Sequence, residues 1–117
     1  MSRDVEEYKS FVDALVGIKS AAAAQWVTGK GFPDVPGNEH INQFLASLTP
    51  QQKEILASMI QGAKESGIHD TLAYLNEQMV FGHIEITQNG VKLPVEPFDT
   101  ELHFDWVARS EGDEWPE

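Results

Sequence analysis

Cysteine is absent from the 117 residues, which removes disulfide bonds, thiolate nucleophiles and sulfur-ligated zinc together. Positive charge is scarce: eight Lys and Arg stand against nineteen Asp and Glu, a formal charge of −11 with a pI near 4.6. A surface that negative repels phosphate backbones and anionic lipid, so direct nucleic-acid binding and peripheral membrane attachment are disfavoured. Long hydrophobic runs are missing as well, because no window approaches the roughly 20 apolar residues that a membrane span needs. The opening stretch, Met1-Ser2-Arg3-Asp4-Val5-Glu6-Glu7, is acidic where a secretory signal carries a basic stretch and then an apolar one. These absences favour a cytoplasmic setting.

Hydrophobic residues make up 41% of the chain, enough for a core, and the length suits a single domain over 1–117. The first half reads as helix. From Val5 the apolar positions Tyr8, Phe11, Val12, Leu15, Ile18, Ala22 and Trp26 recur at spacings of three and four, one stripe on a helical period. Asp4 stands at the N-cap position, and Gly29, Gly31 and Pro33 end the helix. Residues 29–38 form a Gly- and Pro-rich loop from which Phe32 and Val35 are expected to tuck into the core. A second helix runs over about Glu39 to Leu48. Thr49-Pro50-Gln51-Gln52 then announces a third, with Thr49 and Gln52 as the two halves of a capping box and Pro50 in the first turn. That helix stops at Gly67, and a fourth spans about Asp70 to Val80 with Asp70 as its N-cap.

After Gly82 the period changes. His83-Ile84-Glu85-Ile86-Thr87-Gln88 alternates, Asn89-Gly90 is a strong type I′ hairpin signal, and Val91-Lys92-Leu93 returns as the partner strand. Pro94 and Pro97 confine that strand to an edge. Leu102-His103-Phe104-Asp105-Trp106-Val107 alternates again and reads as a third strand with Leu102, Phe104 and Trp106 on one face. The expected fold is therefore α+β: four N-terminal helices followed by a small antiparallel three-stranded sheet.

Three stretches and the tail carry a resemblance. They are Gly31-Phe32-Pro33-Asp34-Val35-Pro36, Gly67-Ile68-His69-Asp70-Thr71-Leu72-Ala73-Tyr74-Leu75-Asn76, and the run from Asn89 through Leu93-Pro94-Val95-Glu96-Pro97-Phe98 to Trp106, with Glu111-Gly112-Asp113-Glu114-Trp115-Pro116. Over nearly its whole length the chain resembles a family of small acidic bacterial proteins recorded as a domain of unknown function. The resemblance implies a single domain of bacterial or phage origin and carries no activity or catalytic residue.

The sharpest chemical pattern is a His/Asp set: His40, the His69-Asp70 pair 29 residues later, and Asp105. Imidazole and carboxylate together suit a divalent metal, and a metal-dependent hydrolase is the enzymatic alternative. On a strand, His103 and Asp105 would share a face with Cα atoms roughly 6.5–7 Å apart. Against the metal reading, Asp70 has ready employment as a cap. No serine stands in a nucleophile elbow and no phosphate-loop lysine follows the glycines, so neither a catalytic residue nor a cofactor is expected.

Charge distribution says more. Residues 96–117 hold eight acids and one base, −7 of the total −11. Aromatic rings are interleaved with these acids. Carboxylates around aromatic anchors make a protein-binding surface, in which the rings supply buried contact and the charges steer a basic partner. The residues expected to form it are Asp99, Glu101, Asp105, Trp106, Glu111, Asp113, Glu114 and Trp115. The leading expectation is a non-enzymatic protein-binding domain of inhibitor or immunity type, facing a basic nucleic-acid-binding partner. A homo-oligomeric structural protein, self-associating through the hairpin edge or the Trp26 face, is the third reading.

Overall fold

The computed structural model describes residues 2–117. It contains α1 (Arg3–Gly17), α2 (Ala22–Thr28), a 3-10 turn (Pro36–Asn38), α3 (Glu39–Ala46), α4 (Pro50–Val80), the hairpin strands β1 (Thr87–Gln88) and β2 (Val91–Lys92), and α5 (Leu102–Ser110). The class is α+β, with a sheet of two antiparallel strands. Two compact units can be distinguished: Met1–Lys19 with Gly67–Glu117, and Ser20–Ser66. They are called the acidic unit and the central unit below.

In the acidic unit, α1 packs on α5 and on β2. Tyr8 and Val12 of α1, Leu72 of α4, and Leu102 and Trp106 of α5 form the buried core. Both α1 and α5 contribute residues four apart, the spacing that keeps side chains on one face. Phe11, Leu15, Ile68, Leu75, Phe98 and Trp115 pack around that core.

The expected third strand is instead α5, and the sheet consequently has two strands. Leu102 and Trp106 satisfy both a two-residue and a four-residue repeat, so alternation alone could not separate strand from helix. Position 104 separates them: Phe104 is 56% exposed, whereas Asp105 is buried beside Trp106. The first turn of α5 is secured from outside itself, because the Leu102 amide donates to Asn76 Oδ1 of α4 at 2.9 Å. That satisfies one of the orphan donors at a helix start.

The hairpin forms as its turn residues dictate. Asn89 and Gly90 both have positive φ, 52° and 75°, and Thr87 pairs with Lys92 and Gln88 with Val91. Gln88 Nε2 donates to Glu7 Oε2 at 2.8 Å, fastening the hairpin to α1.

In the central unit, Ala21, Ala24, Val27 and Leu45 are buried. The single helix expected from Asp4 to residue 28 is broken at 18–21. The Ala21 amide donates to Gln61 Oε1 at 2.8 Å and Lys64 Nζ to the Ser20 carbonyl at 2.7 Å, so side chains of α4 replace backbone bonds at the break. Ser2, in place of Asp4, occupies the N-cap position of α1.

Thr49 and Gln52 make the expected capping box, with Gln52 N donating to Thr49 Oγ1 at 3.1 Å and Thr49 N to Gln52 Oε1 at 2.9 Å. The helix it starts runs through Gly67 and Asp70 to Val80 without interruption, so two expected helices are one. Each of the two interior glycines of α4, Gly62 and Gly67, costs the helix only about 1 kcal/mol relative to alanine. Phe32 packs edge-on against Trp26 with ring centroids 5.1 Å apart, while Val35 remains exposed. Gly31 has φ of 92°, and a Cβ there would lie 2.9 Å from Asn42 Oδ1, the atom that accepts from the Phe32 amide.

Candidate binding face

The C-terminal stretch owes its shape to one helix ending. Beyond α5, Gly112 adopts φ of 92°, the Asp113 amide donates to the Ala108 carbonyl at 3.0 Å and the Gly112 amide to Arg109 at 3.1 Å. These are the paired bonds of a Schellman cap, which reverses the chain after a helix. The reversal brings Trp115 back against the fold. Its ring lies 5.4 Å from Phe98 and 6.1 Å from Tyr8, centroid to centroid.

Asp13 fixes that arrangement. Its carboxylate accepts from Arg109 Nε at 2.8 Å, Arg109 Nη2 at 3.2 Å and the Trp115 indole N–H at 3.1 Å. Arg109 also donates to the Asp113 carbonyl at 2.8 Å and lies over the Trp115 ring, 5.0 Å from its centroid. Burial works to raise the Asp13 pKa, but the hydrogen bonds from Arg109 and Trp115 and the Arg109 charge hold it below the usual carboxylate range. Arg109 is held more firmly protonated by the same hydrogen bond.

A second carboxylate lies inside. Asp105 is 6% exposed, accepting from the Tyr8 hydroxyl at 2.5 Å through Oδ2 and from the Thr100 hydroxyl through Oδ1. Burial, followed by its bond to Asp105, pushes the Tyr8 phenol far above its ordinary pKa. Phe98, Thr100, Phe104, Asp105, Arg109 and Trp115 line a groove of about 180 Å³, with Asp113 and Glu114 also on its border. The loop entering α5 is bent by positive φ at Glu96 and Asp99, 48° and 60°, and Glu96 accepts from Asn76 Nδ2 at 3.0 Å.

The eight expected binding residues therefore separate. Asp99, Glu101, Glu111, Asp113 and Glu114 are exposed, Trp115 is half-buried, and Asp105 and Trp106 are interior. On a strand Trp106 would have had Phe104 as a same-face neighbour; on α5 it joins Leu102 in the core and Phe104 takes the outside. Asp13, Tyr8 and Thr100 were not singled out from the sequence. Asp13 lies 96 positions from Arg109 and 102 from Trp115, and nothing local marks it.

The His/Asp set does not assemble. Among the described residues no group of three or more His, Asp or Glu is placed to hold a metal ion. Asp70 is on the exposed side of an unbroken α4, bonded at 3.2 Å to His69 Nδ1, and Asp105 is turned inward. His103 and Asp105 do not share a face, since two helical positions differ by roughly 200°. His103 Nε2 instead meets Glu101 Oε2 at 3.1 Å, and its ring lies 5.1 Å edge-on from His69.

A family model described as a family of unknown function, DUF6547, matches residues 1–117. The chain belongs to that family. No curated protein and no solved structure matches it. No helix among the described residues of this DUF6547 member is long and apolar enough to cross a membrane.

Proposed function

We propose that this DUF6547 domain is a non-enzymatic, cytoplasmic protein-binding module of inhibitor or immunity type, whose C-terminal acidic face engages a basic, nucleic-acid-binding partner. One observation carries the reading. Of the nine charged side chains in residues 96–117, the only base, Arg109, is committed to Asp13, while Asp99, Glu101, Glu111, Asp113, Glu114 and Glu117 are exposed. Lys9 and Lys19 of α1 reach in against Phe98 and the Ser110 carbonyl, but the exposed charges of residues 96–117 are all carboxylates, the electrostatic counterpart of a surface that binds phosphates. Phe104, at 56% exposure, offers an apolar contact among those charges. Trp106 leaves the binding set and acts as its support, Asp105 lies within the groove rather than on the exposed surface, and Phe104 joins the set.

An octa-arginine peptide is the probe, with octa-glutamine as the neutral control, titrated into the full chain by calorimetry between 50 and 500 mM salt. Asp113→Lys with Glu114→Lys should weaken octa-arginine binding by tenfold or more. The control reversal Asp34→Lys with Glu54→Lys, two exposed acids of the central unit, should change it less than threefold. Affinity should also fall steeply with salt, since screening acts within about 8–10 Å at physiological ionic strength. Equal effects of the two reversals, or indifference to salt, would overturn the proposal.

A further inference from the structure

The groove beside Trp115 contains an electrostatic imbalance that the fold itself does not correct. Asp105 is nine-tenths buried, yet its two recorded partners are the hydroxyls of Tyr8 and Thr100. Among the described residues no Lys, Arg or His forms an ion pair with it. Arg109, one helical turn away on α5, also lines the groove, but its guanidinium is bonded to Asp13 and lies over the Trp115 ring. Buried carboxylates are ordinarily paired with a cation, and a carboxylate has about four acceptor sites, of which two are filled here.

The walls of the groove suit a cation as well. Aromatic faces attract ammonium and guanidinium groups: Lys9 Nζ already lies over Phe98, 5.8 Å from its centroid, and Arg109 over Trp115, which among the described residues leaves the exposed Phe104 ring without a cation. Asp113 and Glu114 add negative charge at the border. The volume, about 180 Å³, falls below the roughly 300–1,000 Å³ of pockets that enclose a cofactor or drug-sized ligand. It is scaled to a single long side chain.

From these features the geometry points to a seat for one cationic side chain, the guanidinium or ammonium tip of an arginine or lysine, held against the exposed Phe104 ring with its charge directed to Asp105. The inference deepens the binding reading above and rests on it for the source of that side chain, a basic protein partner. It adds a specific determinant: one inserted cation anchors the complex, and the surrounding acids steer.

The test uses N-acetyl-arginine amide and, as its neutral near-isostere, N-acetyl-citrulline amide, each titrated into the full-length ¹⁵N-labelled protein. The Trp115 indole N–H and the amides of Phe104, Ala108 and Glu114 should move saturably with the arginine compound. Citrulline should bind at least tenfold more weakly. Phe104→Ala removes an exposed ring and should weaken arginine-amide binding about threefold to fivefold, and Asp105→Asn should weaken it at least tenfold. Should Asp105→Asn fail to fold by circular dichroism, Phe104→Ala and the citrulline comparison decide alone. Equal responses to arginine and citrulline, or arginine binding unchanged in Phe104→Ala, would overturn the seat. Salt-sensitive octa-arginine binding with the groove signals unmoved removes the seat and leaves the acidic face. Loss of octa-arginine binding while arginine amide still saturates the groove does the reverse.

Discussion

Residues 20–66 hold four acids and three bases and bury Ala21, Ala24, Val27 and Leu45, whereas the rest of the chain holds fifteen acids and five bases and buries Tyr8, Leu102 and Trp106 together with Asn76 and Asp105. The central unit is nearly neutral and much of its structure follows short-range chemistry, a capping box, a Gly-Pro loop and an Asn42 side chain reaching ten residues back, with distant partners where Gln61 and Lys64 meet Ala21 and Ser20. The acidic unit carries almost all of the net charge and depends on polar contacts between residues 26 to 102 positions apart. The difference teaches where a fold can be specified locally and where it must be completed by distant partners.

The largest expected effect tests the ring-filled core of the acidic unit. Trp106→Ala should destabilise the chain by about 3–5 kcal/mol, as large-to-small changes in packed cores do. Urea unfolding followed by far-UV circular dichroism measures it, and a loss under about 1 kcal/mol would show that Trp106 does not anchor α5.

Next comes the buried hydroxyl–carboxylate contact. Tyr8→Phe leaves Asp105 with one donor fewer and should cost about 1–3 kcal/mol at pH 7, the penalty of an under-satisfied buried acceptor. The same contact has a pH signature. The phenol's pKa is raised on folding by burial and by Asp105, so above about pH 10 the unfolded chain releases a proton that the folded one retains. Stability should therefore fall with rising pH in the wild type above about pH 10, and Tyr8→Phe should flatten that slope. Parallel slopes would show that another group governs the alkaline limb.

Asp13 has the opposite sign. Its folded pKa lies below the ordinary value, so its contribution is complete at neutral pH and is lost as pH falls through and below the usual carboxylate range near 3.8. Asp13→Asn should lessen the acid sensitivity of unfolding below about pH 4. It should also shift the Trp115 indole N–H resonance at pH 7, because its acceptor is changed.

These contrasts track what could be read from the sequence. The capping box at Thr49 and the Asn89-Gly90 turn were legible because each is decided within four residues. The α1 stripe was legible because its period is long enough to exclude a strand. Leu102–Val107 was not: six residues fit either period, and the bond that secures the first turn of the helix comes from Asn76, 26 positions away. The break at Ile18–Ala21 was hidden for the same reason, its bonds coming from Gln61 and Lys64. At the candidate site, the concentration of acids was evident from composition. Which of them face solvent was not, because the strand reading assigned Phe104 and Trp106 to the wrong sides.

The smaller effects belong to the locally specified features and to the exposed ring. Thr49→Ala removes half of a capping box and should cost about 1 kcal/mol, and Gln52→Glu should retain most of the stability because a carboxylate can still reach back to the Thr49 amide. Phe104→Ala should change stability by no more than about 0.5 kcal/mol, since its ring is already largely in solvent. That near-silence is informative. A three-stranded sheet would bury Phe104 beside Trp106 and make the two alanine variants comparably destabilised; α5 separates them by several fold. A residue whose removal leaves stability intact but weakens binding of a cation has a reason to be aromatic and exposed that packing does not supply.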